Sequence, residues 1–122
     1  MPKLIEMDDH ITLFKQMEEN VSPVILINKF NVKAEDVENL LQAWAEDAAW
    51  MKQQPGYIST QLHRGIGGSC VFINYAVWES VETFRNAFGN PEFQSRLQNY
   101  PSEALVAPHL FQKVAVSNIC VD

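Results

Sequence analysis

Residues 57–78 read YISTQLHRGIGGSCVFINYAVW, and this stretch decides the fold. Residues 57–64 alternate in side-chain character: Ile58, Thr60 and Leu62 share one face, Ser59, Gln61 and His63 the other, as a strand requires. Residues 70–78 are rich in β-branched and aromatic side chains and read as a second strand. Between them GIGGS at 65–69 is a glycine-rich hairpin connection. It is not a phosphate loop, because no Lys-Ser/Thr follows and the next element is a strand.

Working outward, Ser80 fits a helix N-cap, and Val81, Phe84, Ala87 and Phe88 then recur on one helical face. Gly89-Asn90-Pro91 breaks that helix, and 92–98 add a short helical turn. Pro101 and Pro108 bracket a loop, and 109–119 form the last strand. On the other side, Pro55-Gly56 ends a helix over 34–53, whose apolar stripe is Val37, Leu40, Leu41, Trp44, Ala48 and Met51. Glu35, Asp36 and Glu38 lie in its first turn, where the helix dipole favours acids. Residues 23–31, PVILINKFN, form the first strand, apolar on both faces. Residues 1–22 form an appended arm, with Asp8 or Asp9 capping a short helix that carries Ile11, Leu13, Phe14 and Met17.

The order after the arm is β-α-β-β-α-β, the split βαβ or ferredoxin-like pattern of an α+β domain spanning 23–122. Its antiparallel sheet carries helices on one face and leaves the other apolar, with Ile25 and Ile27 there. Pairing two such faces in a homodimer removes the exposure.

The bulk numbers narrow the classes. A chain of 122 residues with 47% apolar side chains is one domain with a real core. A net charge of −6 and nine scattered Lys and Arg argue against nucleic acid. No run of apolar residues is long enough for a membrane span, and MPKLIEMDDH lacks a signal-peptide core. Cys70 and Cys120 fall in no metal-ligand spacing and read as reduced thiols of a cytoplasmic protein. The three His are too dispersed for a metal site.

The stretches QPGYISTQLHR at 54–64, FINYAVWESVETFRNAF at 72–88 and PEF at 91–93 resemble the antibiotic-biosynthesis monooxygenase family of dimeric α/β barrels. The resemblance covers about residues 23–117. It implies one of several activities. One branch oxidises phenols, anthrones or quinols with molecular oxygen and no cofactor, the deprotonated substrate supplying the electrons. A haem-degrading branch uses an Asn in the first strand, a Trp in the second helix and an axial His. Here the Asn is present as Asn28, but the Trp position holds Ala87 and the His position Leu97, which cannot ligate iron. Other relatives are isomerases, signal-processing enzymes and proteins of unknown role.

The reading this supports is a cofactor-independent monooxygenase acting on a small aromatic substrate. The alternative is a non-catalytic, small-ligand-binding or stress-associated barrel dimer. Asn28 is a polar residue inside an apolar strand and would orient a substrate oxygen; a structural amide is the competing role. His63 or Tyr75 would assist proton removal. Trp78, Phe84 and Phe88 would wall the pocket, although such aromatics also serve as plain core. His109 could gate it. The strand parity of Tyr75 is opposite to that of Trp78, so both cannot line one pocket through the same sheet face.

Overall fold

The computed structural model describes residues 1–121. Its elements are β1 (Lys3–Leu4), α1 (Leu13–Gln16), β2 (Val24–Asn31), α2 (Val37–Met51), β3 (Tyr57–Arg64), β4 (Val71–Trp78), α3 (Val81–Phe88), α4 (Pro91–Arg96) and β5 (Leu105–Phe111). They form one mixed sheet in the order β1-β5-β2-β4-β3. The four strands β2 to β5 are antiparallel neighbours, and β1 joins the β5 edge in parallel. This is the expected ferredoxin-like α+β architecture with one strand added. Among the described residues no helix is long and apolar enough to cross a membrane.

The helix starts follow local chemistry. Ser80 caps α3 in a reciprocal box: its Oγ accepts from the Thr83 N–H at 3.1 Å, and Thr83 Oγ1 accepts from the Ser80 N–H at 3.2 Å. Asn90 caps α4 by accepting from the Glu92 N–H at 2.8 Å, with Pro91 in the first turn. The helix-facing side of the sheet buries Val24, Leu26, Phe30, Phe72, Ala76, Trp78, Val106 and Leu110. Burying the Val, Leu and Phe side chains among these stabilises by roughly 1.5–3 kcal/mol each. On the opposite face Ile25, Ile27, Tyr75 and Val77 are only half-buried, and Ile73 and Phe111 are exposed.

Four details depart from the sequence reading. The last strand runs over Leu105–Phe111 rather than 109–119, so Pro108 lies inside it instead of in a loop. Proline is tolerated there because β5 is an edge beyond the short β1. Ala104 and Val106 turn their carbonyls outward to the N–H groups of Lys3 and Ile5, both at 2.8 Å, and Pro108 shares that outward parity. Its missing N–H therefore faces away from β2. Second, Thr12 rather than Asp8 or Asp9 caps α1, and of Ile11, Leu13, Phe14 and Met17 only Leu13 and Met17 are buried. Third, the buried line of α2 is Val37, Leu40, Ala43 and Asp47, whereas Leu41 is exposed. Fourth, a bulge between Tyr57 and Ser59 takes Ile58 out of register and leaves it 52% exposed.

The arm is held on its own chain. Gln16 spans the β5 edge: its amide donates to the Leu110 carbonyl and accepts from the Leu110 N–H, each at 2.9 Å. Arg85 of α3 donates to the Met17 carbonyl at 2.6 Å. The edge that β5 would otherwise present is thus covered at both ends.

Candidate active site

Between the sheet and α2, α3 and α4 lies a cavity with an empty volume of about 610 Å³, its open mouth included. Strand parity builds its floor. Asn28 of β2 pairs in register with Asn74 of β4 and with Pro108 of β5, so these three point to the helix side in one row. Thr60 of β3, two positions along, donates its hydroxyl to Asn74 Oδ1. That bond occupies the Asn74 oxygen and keeps its amide nitrogen as a donor. Asn28 Oδ1 is buried with no hydrogen-bond partner among the described residues. An acceptor left in that state costs about 1–3 kcal/mol.

The walls are aromatic. Tyr57 meets Trp78 edge to face at 5.7 Å between ring centroids, and Trp78 meets Phe84 at 5.9 Å in the same way. Phe88 continues the chain of rings, 5.5 Å from both Phe84 and Phe93. Tyr100 stacks on Phe30 at 6.0 Å. A second hollow, of about 670 Å³, adjoins across Asn28 and Pro108 and is walled on its outer side by Met1, Pro2 and Leu4 of the arm.

The roof carries the one carboxyl that lines the cavity among the described residues. Asp47 lies between Trp44 and Met51 on α2, is 5% exposed, and neither of its oxygens has a hydrogen-bond partner. Burial raises its carboxyl above the ordinary value; the nearby Tyr100 hydroxyl and Arg96 guanidinium oppose that rise without cancelling it. Burial likewise raises the Tyr57 phenol. It raises Tyr100 much further, with the charge on Asp47 adding to the effect.

The structure brings Asn28, Trp78, Phe84 and Phe88 together around this cavity. It does not bring the other candidates there. His63 stands opposite Ile73 and Tyr75 opposite Ile27, which places both on the outer sheet face. His63 is exposed, with Nδ1 3.3 Å from the Ile73 carbonyl. His109 also pairs with Ile27 on that face and lies with Nε2 3.1 Å from the Gln16 amide nitrogen. It helps fasten the arm and does not gate the cavity. A substrate held over Asn28 therefore meets neither His63 nor Tyr75, and the expected pairing of Asn28 with either of them is corrected by parity.

The reading of the sequence missed Asp47, Thr60, Asn74, Tyr57 and Tyr100. Asp47 had a signal: it occupies a place in the 40-44-47-51 line of an otherwise apolar helix face. Asn74 had the same kind of signal, an amide inside an apolar strand, as at Asn28. Tyr57 had none, because only the bulge turns it to the helix side.

The model of the family described as antibiotic biosynthesis monooxygenase matches residues 23–96. The chain belongs to the antibiotic biosynthesis monooxygenase family. The matched segment contains Asn28, Asp47, Thr60, Asn74 and Trp78, and so most of the cavity. Deoxynogalonate monooxygenase of Streptomyces nogalater is 31% identical over 70 residues, which span 57% of this chain and 58% of that protein. Among solved structures, SnoaB, a cofactor-independent oxygenase from Streptomyces nogalater, superposes with a TM-score of 0.71 at 23% identity. The superposition covers 80% of this chain and 99% of SnoaB. A Shewanella loihica PV-4 protein provisionally assigned as a monooxygenase superposes with a TM-score of 0.67 at 32% identity, over the same shares of the two chains. At least one-fifth of this chain therefore lies outside each of these superpositions, and the arm lies outside the family match.

Proposed function

We propose that this chain is a cofactor-independent monooxygenase that oxidises a small electron-rich phenol, anthrone or quinol with molecular oxygen. The observation that carries the reading is the unpartnered, buried Asn28 Oδ1 set in a row of amides on the floor of an aromatic cavity. A mostly apolar pocket with a few placed polar groups is what a flat aromatic ligand requires. Asn28 Oδ1 accepts from a substrate hydroxyl and the Asn74 amide nitrogen donates to a substrate oxygen, while Trp78, Phe84 and Phe88 stack on its rings. Excluding water strengthens each polar contact that stabilises the substrate anion. The anion then passes electrons to oxygen one at a time, which removes the spin barrier to direct reaction.

The same reading includes a homodimer through the outer sheet face. Its support is the row Ile25, Ile27, Ile73, Tyr75 and Val77, which the single chain leaves partly or wholly open.

The test is oxygen consumption by metal-stripped protein against a panel of anthrones, naphthols and reduced quinones, each rate compared with uncatalysed autoxidation. Saturable acceleration without added flavin, haem or metal is the expected result. No acceleration across the panel refutes the reading and favours a ligand-binding barrel.

A further inference from the structure

The monooxygenase reading leaves one step unassigned, because the substrate must lose a proton before it can reduce oxygen. Neither His63 nor Tyr75 reaches the cavity. Among the described residues the titratable side chains that line it are Asp47, Tyr57 and Tyr100. The two phenols are held protonated by burial. That leaves a carboxylate on the roof, across from the Asn28 and Asn74 amides on the floor.

We propose that Asp47 is the proton acceptor of this pocket, with the neighbouring Tyr100 hydroxyl as the group that positions its carboxyl. Two features of the geometry carry this. Both Asp47 oxygens are buried in the cavity without a hydrogen bond of normal geometry, the Tyr100 hydroxyl and the Arg96 guanidinium standing nearby without closing on them, and a structural carboxylate in such a place would be fully paired. Asp47 also sits on a rigid 15-residue helix, between Trp44 and Met51, which fixes its direction. The raised carboxyl is a stronger base than an ordinary aspartate, which suits it to a weakly acidic substrate.

With an anthrone, a C–H bond at the reacting methylene breaks, its proton passes to the Asp47 carboxylate, and the electron pair stays on the substrate. The anion reduces oxygen, a C–O bond forms, and the resulting peroxide anion takes the proton back from Asp47. The O–O bond then breaks as the second hydrogen leaves that carbon. One oxygen atom stays as the new carbonyl and the other departs as water. The methylene is oxidised by four electrons and dioxygen is reduced by four. Asp47 ends as it began.

The charged and titratable groups facing Asp47 are Tyr100, Arg96 of α4, Glu46 on its own helix and Tyr57 across the cavity. Arg96 favours the charged carboxylate and Glu46 disfavours it. The proposal rests on the monooxygenase reading, and the experiment separates the two. Oxygen uptake with anthrone, a carbon acid, is followed in the intact protein and in Asp47→Asn from acid to mildly alkaline pH. A phenol already ionised at the assay pH serves as second substrate.

The intact protein is expected to lose activity on acidification, along a limb displaced above the ordinary aspartate range. Asp47→Asn is expected to lower kcat on anthrone by roughly 10²- to 10⁴-fold, the usual worth of a general base. It should change KM little and remove the acid limb. It should also keep most of its rate on the ionised phenol. Tyr100→Phe should shift the limb rather than abolish it. Activity of the intact protein with no acid limb overturns the assignment even if Asp47→Asn does not fold. So does a folded Asp47→Asn that keeps kcat and the limb, or that loses both substrates alike. An intact protein inactive on every substrate refutes the monooxygenase reading itself, and the Asp47 assignment with it.

Discussion

Replacing Asn28 by Leu is expected to raise stability while removing activity. Asn28 Oδ1 is a buried acceptor with no protein partner, in a row with Pro108 and the Thr60-bound Asn74. Relieving such a group returns about 1–3 kcal/mol. Water entering the cavity meets part of that need in the native chain, so the lower figure of about 1 kcal/mol applies. Leu has a similar length to Asn and extends into empty space, so overpacking does not offset the gain. For a chain of 122 residues the unfolding entropy near the midpoint is roughly 0.26 kcal/mol/K. Asn28→Leu should therefore raise the thermal midpoint by about 4 °C, read by circular dichroism. Oxygen uptake should fall by roughly 10²- to 10³-fold, the scale of losing one oriented amide donor at a developing anion. A midpoint lowered by about 4 °C or more, with turnover intact, would make Asn28 a structural amide and refute the site.

Three further outcomes are expected. Asp47→Asn should change how stability depends on pH. Burial raises the folded carboxyl above its ordinary 3.8, so its contribution is full below that value and is lost as pH rises through the folded value. Urea unfolding over that window should show a decline in the native chain that is absent in the variant. Gly56→Ala should destabilise by about 2–4 kcal/mol, because φ is +88° there and a Cβ would overlap Thr83 of the α3 capping box. An unchanged denaturant midpoint would show that this strand entry is not tight. Light scattering should give a dimer for the native chain and a monomer for Ile27→Glu; a native monomer would refute the sheet-face dimer.

Much of the fold was legible because its signals are local. The alternation in 57–64, the run in 70–78, the Ser80 cap and the Gly89-Asn90-Pro91 break each act within a few residues, and each element lies where its own chemistry puts it. What escaped was set by tertiary context. The β5 boundaries depend on which edge of the strand is open, since Pro108 reads as a breaker unless its outward parity is known. Tyr57 joins the cavity only through a bulge, and one extra residue reverses the face of everything before it. The candidate site divided for the same reason. Asn28, Trp78, Phe84 and Phe88 share one side, whereas His63 and Tyr75 were chosen by chemical type, and parity sends them through the sheet.

The strongest case for a functional cavity is that two costs coincide in it. Asn28 belongs to β2 and Asp47 to α2, elements far apart in the chain, and each leaves buried oxygens unpaired. Either alone could be a local accident of packing. Together they line one hollow, from floor and roof, with Asn74 offering a donor between them and stacked aromatic rings around them. A core under pressure only to be stable would have paired these groups or replaced them with apolar ones, as it did at Leu26, Ala76 and Leu40 nearby. Polar groups that the protein does not satisfy are satisfied by what enters. A flat ring system bearing a hydroxyl at one edge and an acidic hydrogen at the other offers a donor to both at once.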